Sequence, residues 1–487
     1  MRLVKRGLAT LAVSLLVLLC VLVVNTLRFV PADDARPAGE LAQIALPDAG
    51  EAAQRLAQAI RMPTVSNATE KDSYEALLRW LKQTYPAAHR AMNLEVVAGL
   101  TPLYRWTGRD ASLAPVLLAA HYDVVPADAS SLDRWTYPPF DGVVADGFVW
   151  GRGALDNKGT IVAMFEALEA LADTGFQPQR TVYISLGHDE ETGGEEGARA
   201  VADVLQSRGV RAAWSLDEGS FVLDGIINGI ERPVASINVA QKGFLTLTLT
   251  AHGQGGHSSM PPRETAVGVL AMAIDKLQKA PVPGGLRDVS AQFFDELARH
   301  FPFGQRLLFA NRWLFGPLIE RVLSATPATN AVLRTTTAPT MLQGSEAANV
   351  LPTQAIATVN FRLHPRDTID GVVAYVRETI NDERVAVQAF EPDMTEASAV
   401  SDSRAVGYQQ IRSATQAAFG DVIFVAGLTV AGTDSTHYVR IAQDSYRFNP
   451  FLFNRSDLTR MHGIDERLSV ENLARGMLFY QRLLREQ

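Results

Sequence analysis

The chain reads as an α/β protein: a doubly wound, mostly parallel sheet, interrupted by an inserted α+β domain and preceded by an N-terminal membrane anchor. Three observations carry that expectation. Short apolar runs alternate with helical patterns from residue 49 to 237 and again after residue 372, as strands joined by crossover helices do. Between these stretches, segments 243–251 and 355–363 alternate apolar and polar residues with period two, the pattern of antiparallel strands with one solvated face. Residues 8–24 carry no charge and follow Arg2, Lys5 and Arg6.

That first apolar run holds seventeen residues, the short end of a membrane span and longer than a typical signal-peptide core. Residues 1–30 are read as an uncleaved anchor, with a removed signal peptide as the rival. The basic residues stay cytoplasmic by the positive-inside rule, which places the rest of the chain outside the cytoplasm. Residues 31–48, rich in Pro and Ala, read as a linker. The first part of the main domain spans 49–237, with helices at 72–84, 160–174 and 194–207 and strands at 116–120, 181–186 and 213–216. The insertion spans 238–363 and contains a helix at 264–280. The second part spans 364–487, with helices at 372–381, 404–419 and 470–484 and strands at 385–390 and 422–426. Within the insertion, residues 301–323 are dense in large apolar side chains, including Phe309, Trp313, Phe315 and Ile319. Core or oligomer packing is the plain account, and a surface for an acyl chain is the sharper one.

Composition narrows the function classes. A net charge of −8 without a basic cluster past the first six residues argues against nucleic acid and for a small-molecule or peptide substrate. A single cysteine, Cys20, excludes an internal disulfide and a cysteine-based metal site. Any metal must be held by imidazole and carboxylate.

Such groups gather where apolar runs end. Glu190 and Glu191 stand side by side after the run 181–187, a costly pairing unless strong positive charge lies nearby. His121 and Asp123 follow the run 115–120, Asp217 ends the run 212–216, Asp156 lies in a Gly-rich segment and His462 near the C-terminus. The carboxyl ends of strands are where open α/β sheets place ligands. Each residue alone is more often a cap or surface group. Their combination is the signal.

The motifs His121-Tyr-Asp123, Gly151-Arg-Gly-Ala-Leu-Asp156, Glu190-Glu-Thr-Gly-Gly194, Gly256-His-Ser-Ser259 and Arg460-Met-His462 resemble those of the dizinc metallopeptidases and amidohydrolases that include aminoacylase and glutamate carboxypeptidase. They are most like the branch of carboxypeptidase S and N-fatty-acyl-amino-acid synthase/hydrolase. The resemblance implies that Asp156 bridges two zinc ions, Glu191 and His462 completing one and His121 and Asp217 the other. It makes Glu190 the general base and Asp123 the acceptor that fixes the His121 tautomer. It also implies a cis Asp156–Asn157 peptide and an insertion acting as a lid and dimerisation domain. His257 would reach across a homodimer to polarise the scissile carbonyl, while Asn349, Arg362 and Gly432 contact substrate. The expected reaction is zinc-dependent hydrolysis of N-acyl amino acids or of C-terminal peptide bonds. The alternative is an inactive binding protein that keeps the fold.

Overall fold

A computed structural model describes residues 2–31, 45, 48–66, 69 and 71–487; most of the expected linker lies outside them. The chain divides into two compact units, one comprising residues 241–399 together with the N-terminal helix, the other comprising the rest.

The larger unit opens at the helix Ala49–Ile60, whose first amides are capped by Asp48 through Gly50 and Glu51. Among the described residues, its main sheet has ten strands. The centre is parallel: Val182–Gly187, Val116–His121, Ala212–Asp217 and Ala442–Arg447 lie in that order. Strands 116–121 and 182–187 are buried along their whole length, as parallel strands covered on both faces must be. One edge continues antiparallel through Thr101–Trp106 and Asn93–Val97, and the other through Val234–Gln241. The helices Lys158–Asp173 and Val470–Arg485 pack against each other in this unit, and the former is buried on nearly every side.

The smaller unit holds a four-stranded antiparallel sheet ordered Thr336–Gln343, Gln354–Leu363, Gly243–His252, Val385–Thr395. Gly243–His252 alternates buried and half-buried residues along most of its length, so its period-two sequence has the expected cause. Leu245, Leu247 and Leu249 meet Val359 and Phe361 and the helices Ala266–Lys279 and Ile369–Ile380 in one core.

Two boundaries differ from the sequence reading. The expected insertion ended at residue 363, yet Ile369–Ile380 and Val385–Thr395 complete its core and sheet. A helix followed by an apolar strand looks the same whether the strand joins a parallel or an antiparallel sheet, so sequence alone assigned both to the wrong unit. The insertion also begins at Gln241 rather than 238, because Val234–Gln241 is buried throughout and pairs within the larger sheet.

The smaller unit also carries short helices, among them Phe303–Ala310 and Arg312–Leu323, around Phe294, Phe309, Ile319 and Leu333. The N-terminal helix Arg2–Arg28 contains a 24-residue segment, Lys5–Arg28, long and apolar enough to cross a membrane.

Candidate active site

The parallel strands deliver their side chains to one edge. His121 ends its strand directly beside Gly187, Glu190 and Glu191 form the turn that follows Gly187, and Glu218 follows the strand Ala212–Asp217. Asp156 precedes the helix Lys158–Asp173 across a cis peptide to Asn157, the bond expected from the sequence. His462 sits in a C-terminal loop with φ of 59°.

These groups converge on Asp156. One oxygen, Oδ1, lies 3.0 Å from Nε2 of His121, and the other, Oδ2, lies 3.0 Å from Nε2 of His462. Glu218 Oε1 is 3.3 Å from the same His121 nitrogen, and Glu191 Oε2 is 3.4 Å from that of His462. Two ligand-like groups therefore share one carboxylate: His121, Asp156 and Glu218, and Asp156, Glu191 and His462. Glu190 reaches the margin, with Oε2 3.9 Å from His121 Nε2.

Buried acceptors hold this arrangement. Asp123 accepts the amides of Glu190 and Glu191, each at 3.1 Å, and the Ser66 hydroxyl at 2.9 Å. Its carboxylate is 3.4 Å from His121 Nδ1, while its own carbonyl is nearer at 3.1 Å. Both oxygens are acceptors, so carbonyl and carboxylate of Asp123 favour the same His121 tautomer, with the proton on Nδ1, and the carboxylate also sets the paired glutamates. Glu466, overlooked in the sequence, organises the Gly-rich segment: Oε1 accepts the amides of Gly153, Leu155 and Asp156, and Oε2 accepts Arg152 at 2.6 Å. Asp434 is a second residue that sequence reasoning passed over. A β-carbon on Gly187 or Gly194 would fall within 2.3 Å of its carboxylate, so both glycines are required by its close approach.

Asp217 is not among the converging groups. Its carboxyl accepts the amides of Glu218 and Ser435 and lies near the buried Arg447. Successive residues at a strand end point to opposite sides, so with Glu218 facing His121 its neighbour faces away. The signal was available as the adjacent acid in Asp217-Glu218.

The remaining candidates belong to different units. In the smaller unit, His257 lies on a short ribbon paired with Val350–Leu351. Its Nδ1 accepts the Ser259 amide at 3.1 Å, and Asn349 accepts the Ser258 amide through its carbonyl. Arg362 stands on the sheet with its guanidinium 4.6 Å above the Phe244 ring. In the larger unit, Gly432 is exposed in the loop before Asp434.

Electrostatics favour a cation. Burial, then the Asp156 charge, pushes the Glu218 carboxyl up to about 7. Burial drives Glu190 and Asp434 well above the ordinary range as well. His462 is raised to about 10 by its hydrogen bonds to Asp156 and Glu191. For Asp156 burial works upward, but the two imidazole hydrogen bonds outweigh it and hold the carboxyl low. Among the described residues Glu191 Oε1 is buried with no hydrogen-bond partner, a costly state for a carboxylate oxygen. Oxygen and imidazole donors at these positions suit zinc, so the residues fit a metal centre.

Comparison with known proteins gives the family. Residues 117–486 match the family described as peptidase family M20/M25/M40. A probable carboxypeptidase S-like 2 of Dictyostelium discoideum is 38% identical over 479 residues, covering 96% of this chain and 92% of that one. The N-fatty-acyl-amino acid synthase/hydrolase PM20D1 of Homo sapiens is 39% identical over 430 residues, covering 86% and 84%. Among solved structures, an M20 family metallo-carboxypeptidase of Sulfolobus solfataricus superposes with a TM-score of 0.63 at 17% identity, covering 89% of this chain and 98% of that one. The chain belongs to peptidase family M20/M25/M40 and is an enzyme of that metal-dependent, amide-hydrolysing family.

Proposed function

We propose that this enzyme cleaves amide bonds whose amine side is an amino acid with a free carboxylate, in N-acyl amino acids or at the C-terminal end of short peptides, using two zinc ions. His121, Asp156 and Glu218 would hold one ion, and Asp156, Glu191 and His462 the other. When bound, such cations polarise the scissile carbonyl and make water acidic enough to attack at neutral pH. Glu190 takes the proton of the attacking water and hands it to the leaving nitrogen. Asp123 keeps Glu190 aimed by gripping its backbone, and Glu466 keeps Asp156 in place by gripping the amides before it. Substrate recognition would use His257, Asn349, Arg362 and Gly432, with Arg362 offering a fork for the free carboxylate. A homodimer and a lid role for the insertion belong to this proposal, as does an anchor at Lys5–Arg28 that leaves the enzyme outside the cytoplasm.

One observation carries the reading. The two oxygens of Asp156 face two different imidazoles at 3.0 Å, each with a further carboxylate alongside. An inactive binding protein would have no need for the complete set together with Glu190. The test is a panel of N-acyl amino acids and dipeptides assayed with zinc. Amine release with a requirement for the free carboxylate is expected, and release from neither class would refute the substrate assignment.

A further inference from the structure

We infer that the helical corner of the smaller unit, formed by Phe303–Ala310 and Arg312–Leu323, inserts into the outer face of the lipid bilayer beside the N-terminal helix. The inference rests on the proposal that Lys5–Arg28 spans a membrane. Asn311, at the turn between the two helices, donates to the carbonyl of Leu22 at 3.1 Å, and Asn25 donates to the Asn311 side-chain oxygen at 2.9 Å. These contacts fall three to six residues before Arg28, roughly 5–9 Å below it along a helix rising 1.5 Å per residue. A segment that touches a membrane-spanning helix at that depth must itself enter the membrane.

Its surface fits that position. Leu314, Leu318 and Val322 recur every fourth residue on one helix face and are 42%, 50% and 61% exposed, with Trp313 at 63% beside them and Phe303 at 46% on the other helix. An exposed apolar face of this kind marks an interaction surface, and the adjoining helix Phe303–Ala310 packs on an apolar helix of membrane length, which makes lipid the occupant. Polar groups are placed where they would meet headgroups or be satisfied. Arg299 donates to the carbonyl of Val30 and lies 4.6 Å over the Phe29 ring just past the apolar segment. Arg28 and Arg321 are exposed and suit anionic headgroups. Asn25 donates to the Asn311 side-chain oxygen, and the Asn311 amide donates to the carbonyls of Leu22 and Leu307, which offsets the cost of placing these donors in an apolar layer.

The test uses the full chain reconstituted in liposomes of phosphatidylcholine and phosphatidylglycerol, with and without dibrominated acyl chains that quench nearby tryptophan. Trp313 is one of six tryptophans, and the others lie in the larger unit. Wild-type fluorescence should fall on bromination, and Trp313→Phe should remove more than half of that fall. Leu318→Asp should weaken quenching of the remaining Trp313 while cleavage of a water-soluble substrate persists, showing an intact fold. Protein that floats with the liposomes but quenches equally in Trp313→Phe would overturn the insertion and leave the anchor standing. Protein that does not float would overturn both. A Leu318→Asp variant that turns an unquenched dimer into a monomer would show that a second copy covers this face.

Discussion

Asp123 accepts the backbone N–H of Glu190 at 3.1 Å, and its second oxygen takes that of Glu191 at the same distance. One carboxylate therefore fixes both the proposed proton carrier and a proposed metal ligand. In Asp123→Asn one of these amides would face an NH2 group, donor against donor. Steady-state kinetics should show kcat lower by about 10–100-fold with zinc content and KM near wild type. An unchanged kcat would release Asp123 from this positioning role.

Glu190 lies 3.9 Å from His121 Nε2 and could itself join His121 and Glu191 about an ion; as the proposed base outside both zinc sites, Glu190→Gln should separate chemistry from metal binding. Activity should fall by about 10²–10⁴-fold, the typical contribution of a general base, while metal analysis still finds the wild-type zinc content. Loss of zinc together with activity would make Glu190 a ligand instead.

The neighbours Asp217 and Glu218 should behave differently on amidation. Glu218→Gln should weaken zinc binding by at least about 10-fold, since even outer-shell losses at metal sites reach that size. Asp217→Asn should retain zinc and lower the melting temperature, because its carboxyl serves the buried Arg447 and two backbone amides. Zinc titration and differential scanning fluorimetry on the pair distinguish the two. The opposite pattern would restore Asp217 as the ligand.

Glu466 pairs with Arg152 in full burial and collects three amides. Removing one member of such a pair costs about 3–5 kcal/mol. Glu466→Gln should therefore lower denaturant stability by about that amount, and the loosened Asp156 should also bind zinc less tightly. Denaturant melts of the zinc-free protein check the first part independently of metal.

Lys242 supplies a pH test outside the metal site. Burial, with Arg362 nearby, lowers its pKa to about 7, whereas the unfolded chain keeps the ordinary value near 10.4. Between these values the unfolded state binds more protons, so stability from this group rises with pH across that window and is flat outside it. The melting temperature should gain more from pH 7 to 9.5 in wild type than in Lys242→Met. Parallel curves would show that Lys242 titrates normally in the folded state.

Part of the site was legible because His121 ends an apolar run and Glu190 and Glu191 follow another, both of them buried strands, whereas Asp156 and His462 stand off the strands and were marked by their motifs. His121, Asp156, Glu190, Glu191 and His462 are all brought together. Glu218 joins them where Asp217 does not, a difference hidden in the sequence because a run of apolar residues shows where a strand stops but not which side its next residue faces. The central strand Ala442–Arg447 escaped notice because it is polar: Ser445 meets the Ser215 hydroxyl and the buried Arg447 bonds to Ser435 and Ser445. Its burial is sustained by partners far away in sequence, which periodicity does not record. Glu466 was hidden for the same reason, since its amides come from residues more than 300 positions upstream. The exposed face of Arg312–Leu323 shows the converse: of the readings that its sequence allows, core packing, oligomer packing or a surface for an acyl chain, burial in the core does not hold for Trp313, Leu314, Leu318 and Val322.

Two cations flanking Asp156 are central to the proposed chemistry, and anomalous diffraction at the zinc edge from crystals of the zinc-loaded enzyme would locate them. Two peaks are expected, one against His121 and Glu218 and one against Glu191 and His462, with Asp156 touching both. A single peak, or a peak bound by Asp217 in place of Glu218, would contradict it.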